Sequence, residues 1–75
     1  MIYPNPANGF VNVQFNASAK TQMTIVDVNG RVVEKATFNG SVNERINVTN
    51  WKPGLYIVML TSENGNVSVN KFIVK

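Results

Sequence analysis

No cysteine and no histidine occur in this chain of 75 residues, and only Asp27, Glu34, Glu44 and Glu63 carry a side-chain carboxylate. Zinc sites and thiol or Ser-His nucleophiles therefore lose their usual parts. Ser18, Ser41, Ser62 and Ser68 have no candidate base near them in the sequence and occupy positions that suit turns and solvent-facing strand sites. The four carboxylates are dispersed, so no cation loop is visible. The expectation is no catalytic residue, no metal and no cofactor. Without disulfides, a domain this small must be held by packed apolar strands, and the missing cysteines say nothing about compartment. No apolar run reaches the length of a membrane-spanning helix. Met1-Ile2-Tyr3-Pro4 lacks the basic and apolar regions of a signal peptide; if the chain is a fragment of a longer protein, any export signal is expected on the part upstream of Met1.

Hydrophobic residues make up 44% of the chain and charged residues 15%, the balance of a folding sequence rather than a disordered one. The length predicts one domain, residues 1–75, with a radius of gyration of about 11 Å. The net charge is +3, but Lys20, Arg31, Lys35, Arg45 and Lys52 are scattered, and only Lys71 and Lys75 lie together at the end. Nucleic acid, which calls for a clustered basic stripe, is not an expected partner.

Period-two alternation is the dominant pattern. It predicts strands over Phe10 to Phe15, Gln22 to Val28, Arg31 to Phe38, Asn43 to Val48 and Leu55 to Leu60. The Leu55 to Leu60 run is apolar on both faces, which points to a central strand, with Trp51 and Tyr56 over its ends. Asn29-Gly30 predicts a hairpin in one of two registers: a two-residue loop, or a loop over Val28, Asn29 and Gly30 with Gly30 in the left-handed region. The second is preferred. It sets Asp27 opposite Arg31 and Ile25 opposite Val33, whereas the tight form would make Asp27 and Glu34 diagonal neighbours, a glycosidase-like spacing that without a concave pocket does not suggest an enzyme. Asn39-Gly40 marks a turn, Pro53-Gly54 suits the centre of a type II turn, and Asn64-Gly65 closes a second hairpin. The last run, Asn66 to Lys75, alternates to Asn70 and then changes phase, which predicts a bulge or a split strand. Roughly six or seven short strands with regular turn signals and no helical period give an all-β fold, an immunoglobulin-like β-sandwich first and a small barrel second.

Tyr3-Pro4-Asn5-Pro6-Ala7-Asn8-Gly9 precedes the first predicted strand; two prolines and a glycine would serve as a rigid lead-in. Taken in order with Val26-Asp27-Val28-Asn29-Gly30-Arg31-Val32-Val33, Pro53-Gly54-Leu55-Tyr56-Ile57-Val58 and the terminal Lys71-Phe72-Ile73-Val74-Lys75, it resembles the type A C-terminal sorting domain of the bacterial type IX secretion system. Each piece alone is common; four in this order are specific.

The resemblance implies a C-terminal domain on a larger cargo, recognised by the translocon and shuttle components of a Gram-negative outer membrane. The cargo would pass through the periplasm to the cell surface or medium. A surface sortase usually removes the domain, leaving cargo free or joined to lipopolysaccharide. Carried over by position, the sorting motif comprises Pro4, Asn5, Pro6, Gly9, Gly30, Gly54, Tyr56, Lys71, Phe72, Ile73, Val74 and Lys75. Most of these shape backbone or pack, whereas Lys71 and Lys75 carry charge that a receptor can read. A last strand at a sheet edge would offer strand addition to a receptor, or a dimer by edge pairing. The rival reading is an adhesion or carbohydrate-binding module using exposed Trp51 and Tyr56 as a stacking platform; an inert spacer is a third.

Overall fold

The computed structural model describes residues 2–4, 7–16 and 19–75. Among them there is no helix. Seven strands run in chain order: β1 (Ile2–Tyr3), β2 (Phe10–Phe15), β3 (Lys20–Asp27), β4 (Val32–Asn39), β5 (Val42–Asn47), β6 (Gly54–Ser62) and β7 (Val67–Val74). They form a three-stranded sheet, β1-β2-β5, and a four-stranded sheet, β4-β3-β6-β7, with every named strand pair antiparallel. Lettered A, B, C, C′, E, F and G in chain order, the sheets read A-B-E and C′-C-F-G, an immunoglobulin-like arrangement. The radius of gyration is 11.8 Å, near the value expected from length alone.

Alternation explains the core. Val11 and Val13 of β2 and Val42 and Ile46 of β5 face Met23 and Ile25 of β3, Val58 and Leu60 of β6, and Phe72 and Val74 of β7, all buried in one cluster. β6, predicted as central, lies between β3 and β7. The predicted start of β3 at Gln22 is two residues late, because Lys20 and Thr21 already pair with Asn39 and Phe38. Thr21 looks like loop in the sequence but is fully buried, its hydroxyl donating to the Ala19 carbonyl at 3.1 Å.

Both Asn-Gly hairpins use the same loop. Asp27 N–H donates to the Arg31 carbonyl and Gly30 N–H to the Asp27 carbonyl, each at 3.0 Å; Ser62 N–H donates to Asn66 at 2.8 Å and Gly65 N–H to Ser62 at 3.0 Å. In each, the side chain opening the loop accepts from the backbone N–H four residues on: Asp27 Oδ1 from Arg31 at 2.9 Å, Ser62 Oγ from Asn66 at 3.2 Å. The preferred loop at Val28-Asn29-Gly30 is thus present. The register beyond it differs, since a bulge at Val33 sets Ile25 opposite Glu34 rather than Val33. Asp27 is drawn into the loop, where its carboxylate also accepts from Asn29 N–H at 2.9 Å.

Gly30 has φ +82° and Gly65 φ +94°, and a Cβ at either would meet nothing within 4 Å. The penalty for a side chain there is purely backbone strain. Gly30→Ala and Gly65→Ala are each expected to lower stability by about 1–2 kcal/mol. The loops lie at opposite ends of β6, so the double variant should show the sum. Urea denaturation checks this, and an unchanged midpoint would show that the loops do not need the left-handed conformation.

Two further expectations are corrected. Pro53-Gly54 is not the centre of a type II turn, whose third residue has φ near +80°; Gly54 has φ +150° and already pairs with Val74 as the first residue of β6. Nor is β7 bulged or split, for its register against β6 is unbroken from Val67–Thr61 to Val74–Gly54. What changes along β7 is polarity: Ser68, Asn70, Phe72 and Val74 face inward, and Val67, Val69, Lys71 and Ile73 outward.

Candidate functional site

The four sequence pieces that carry the resemblance meet at one end of the four-stranded sheet. Asp27, at the base of the Val28-Asn29-Gly30 loop, pairs with Tyr56, and Gly54 pairs with Val74. The opening segment reaches the same end. Ile2 and Tyr3 pair with β2 in the three-stranded sheet, but Ala7 forms a parallel bridge with Val74 in the other. Ala7 N–H donates to the Ile73 carbonyl at 2.6 Å, and Lys75 N–H donates to the Ala7 carbonyl at 3.0 Å. The segment therefore stitches both sheets together and clasps the terminal strand.

Each expected site residue can be placed except Asn5 and Pro6, which lie outside the described residues. Pro4 is exposed and follows a cis peptide bond. Gly9, at φ +90°, turns the chain into β2, and its carbonyl accepts from Val48 N–H at 3.0 Å and from the Thr49 hydroxyl at 3.2 Å. Gly30 and Gly54 hold the backbone conformations already described. Phe72 and Val74 are core residues, 1% and 3% exposed, while Lys71, Ile73 and Lys75 project outward. The terminal motif thus divides by parity into packing residues and surface residues.

Tyr56 is architectural. It is buried, and its hydroxyl donates to the Lys52 carbonyl at 2.6 Å. A tyrosine near the start of the F strand that bonds back to the preceding corner is a recurrent fixture of immunoglobulin-like sandwiches. Its ring packs 5.0 Å from Trp51 and 5.8 Å from Phe72, and half-buried Trp51 lies against the core. A stacking platform needs both rings open to solvent and coplanar, yet Trp51 and Tyr56 are tilted by 47° and Tyr56 is enclosed.

β7 is an edge strand, as expected. The Ile73 carbonyl points to that edge, where Ala7 meets it. By the alternation of an antiparallel ladder, the backbone groups of Val67, Val69 and Lys71 point the same way, along a stretch that no strand among the described residues covers. Ala7 was not among the expected site residues. Its signal was weak: a small apolar residue two positions before the turn glycine, between Pro6 and Asn8.

Chemistry is sparse. Among the described residues no group of three or more His, Cys, Asp or Glu could hold a metal ion. Glu34 and Glu44 border one depression between the sheets beside Trp51, whereas Asp27 serves the hairpin loop, so the Asp27–Glu34 pairing of the tight register does not form. Among the described residues no helix is long and apolar enough to cross a membrane.

Comparison with known proteins agrees with this arrangement. Residues 1–75 match the profile of the secretion system C-terminal sorting domain. The chain is also 32% identical over 74 residues to an endo-acting ulvan lyase of Formosa agariphila, covering 99% of this chain but only 14% of that protein. The region shared with the lyase is therefore a small part of it. Four motifs gathered at one end of an immunoglobulin-like sandwich, with a match along the whole chain, show that it belongs to the type IX secretion C-terminal sorting domain family.

Proposed function

We propose that this domain is the C-terminal address of a larger exported protein: it directs cargo lying upstream of Met1 from the periplasm across the outer membrane, and a surface sortase then removes it. The observation that carries this reading is the family match along residues 1–75. The small fraction of the lyase that the chain matches supports a tag attached to separate cargo. The partners are translocon and shuttle components and then the sortase; the destination is the surface or medium of a Gram-negative bacterium. The domain itself performs no chemistry. Its opening segment, nearest the cargo, is bonded to its terminal strand, so a receptor at this end would meet the domain only when both are folded together.

The test fuses the chain behind a folded reporter carrying a periplasmic export signal, in a host with a working type IX system and in a translocon-disabled derivative. The reporter is expected at the surface or in the medium of the first and in the periplasm of the second. Mass spectrometry of delivered reporter is expected to show the domain removed. Periplasmic retention in the working host would sink the address reading, and delivered reporter still bearing the domain would sink the cleavage step.

A further inference from the structure

The two sheets treat their outer faces differently. On the three-stranded sheet the outward positions are polar apart from Phe10 and Tyr3; Phe10 is covered by Arg45, whose guanidinium lies 4.2 Å from the ring centroid, and Tyr3, 39% exposed, carries a polar hydroxyl. On the four-stranded sheet outward apolar side chains are exposed. Val67 is 64% exposed, Val69 56%, Val32 53%, Ile73 49% and Leu55 37%, and half-buried Val26, Ile57 and Met59 lie between them.

β7 shows that this face is not a by-product of folding. In its first half the strand turns Val67 and Val69 to solvent and Ser68 and Asn70 inward, where Asn70 Nδ2 donates to Ser68 Oγ at 3.3 Å. Folding alone favours the opposite assignment, since each exposed valine forgoes a burial worth about 1.5–3 kcal/mol. Apolar side chains displayed in this way mark an interaction surface.

Charge identifies the partner. Lys20, Lys35 and Lys71 project from this face, and no strand position on it carries a carboxylate. Asp27 is committed to its loop, Glu34 faces inward, Glu44 belongs to the other sheet, and Glu63 sits at the far rim near Lys20. Lys71 stands between Val69 and Ile73 on its own strand and opposite Ile57. A second copy of this chain would bring lysines with no carboxylate to meet them. A lipid surface is usually gripped with aromatic side chains, and this face presents none. A cation enclosed by apolar neighbours instead calls for one positioned carboxylate.

Resting on the address reading, we infer that the outer face of β4-β3-β6-β7 docks a flat apolar protein surface of the secretion machinery that carries a carboxylate opposite Lys71. The reporter fusion tests this with Lys71→Glu, Lys71→Arg, the double variant Val69→Thr/Ile73→Thr, and Asn43→Glu on the other sheet as control. Lys71→Glu and the double variant are expected to reduce delivery by roughly tenfold or more, with melting midpoints close to that of the intact domain. Lys71→Arg and Asn43→Glu should deliver as the intact fusion does. Lys71 takes no part in the core, so its reversal decides the matter even where the double variant lowers the midpoint. Full delivery by both face variants overturns the docking face and leaves the address reading standing, whereas retention of the intact fusion overturns both. Sedimentation of the purified domain and its flotation with anionic phospholipid vesicles complete the test. Self-association, or vesicle binding, lost in the same variants would give the face to a second copy or to lipid and overturn the inference.

Discussion

Phe72→Ala is expected to leave the domain largely unfolded at room temperature, and so is deletion of Lys71 to Lys75. Phe72 is the largest fully buried side chain, 1% exposed and packed against Tyr56 and Trp51. Removing a buried phenylalanine costs about 3–5 kcal/mol. A domain of this size is stabilised by only about 4–11 kcal/mol in total, and one without disulfides or metal belongs near the low end. Deletion goes further, because it also takes Val74 and unpairs β6 from Ile57 to Gly54. Circular dichroism and urea titration of the purified variants check this; a cooperative transition for Phe72→Ala near the parent's midpoint would show that the core does not depend on β7. A secretion defect caused by deleting the last five residues therefore reports loss of fold as much as loss of a signal. Substitution at Lys71 or Ile73, which point outward, separates the two.

Local rules made much of this architecture legible. β2 alternates cleanly, and Val11 and Val13, on one side of that alternation, are core residues, while the both-faced apolar run of β6 marks it as central. The hairpin loops followed from Asn-Gly, because positive φ at the second position is a backbone requirement stated by residue type. The misplacements share a cause, which is that a polar residue reads as solvent-facing until its partner is known. Thr21 is buried with its hydroxyl bonded to the Ala19 carbonyl, and Ser68 and Asn70 face inward with a hydrogen bond between them. The change of polarity in β7 therefore resembled a change of phase. The clasp by Ala7 was beyond local rules, since it joins residues at opposite ends of the chain.

That clasp predicts the second large effect: Ala7→Asp should destabilise the domain by several kcal/mol, whereas Ala7→Ser should cost far less. Ala7 has no exposure, and its backbone bonds Ile73 and Lys75 on either side of Val74. A carboxylate placed there must be desolvated with no cation built to receive it, and an unpaired buried charge costs about 3–5 kcal/mol. The hydroxyl of serine is smaller, neutral and able to donate to a nearby carbonyl. Folding can relieve the aspartate in one of two ways, by unfolding altogether or by releasing the opening segment from β7. Release would expose the Lys75 N–H and the Ile73 carbonyl while β3, β6 and the rest of β7 stay paired. Hydrogen exchange distinguishes them, with global unfolding accelerating every strand amide and release accelerating chiefly those of Ala7 and Lys75. Local release is the expected result in dilute buffer if the sandwich retains more than about 3 kcal/mol without the clasp, with the lower urea midpoint following from it. An Ala7→Asp domain that melts and exchanges like its parent would show that the opening segment does not hold the terminal strand. The link between the opening segment and the terminal motif would then be lost as well.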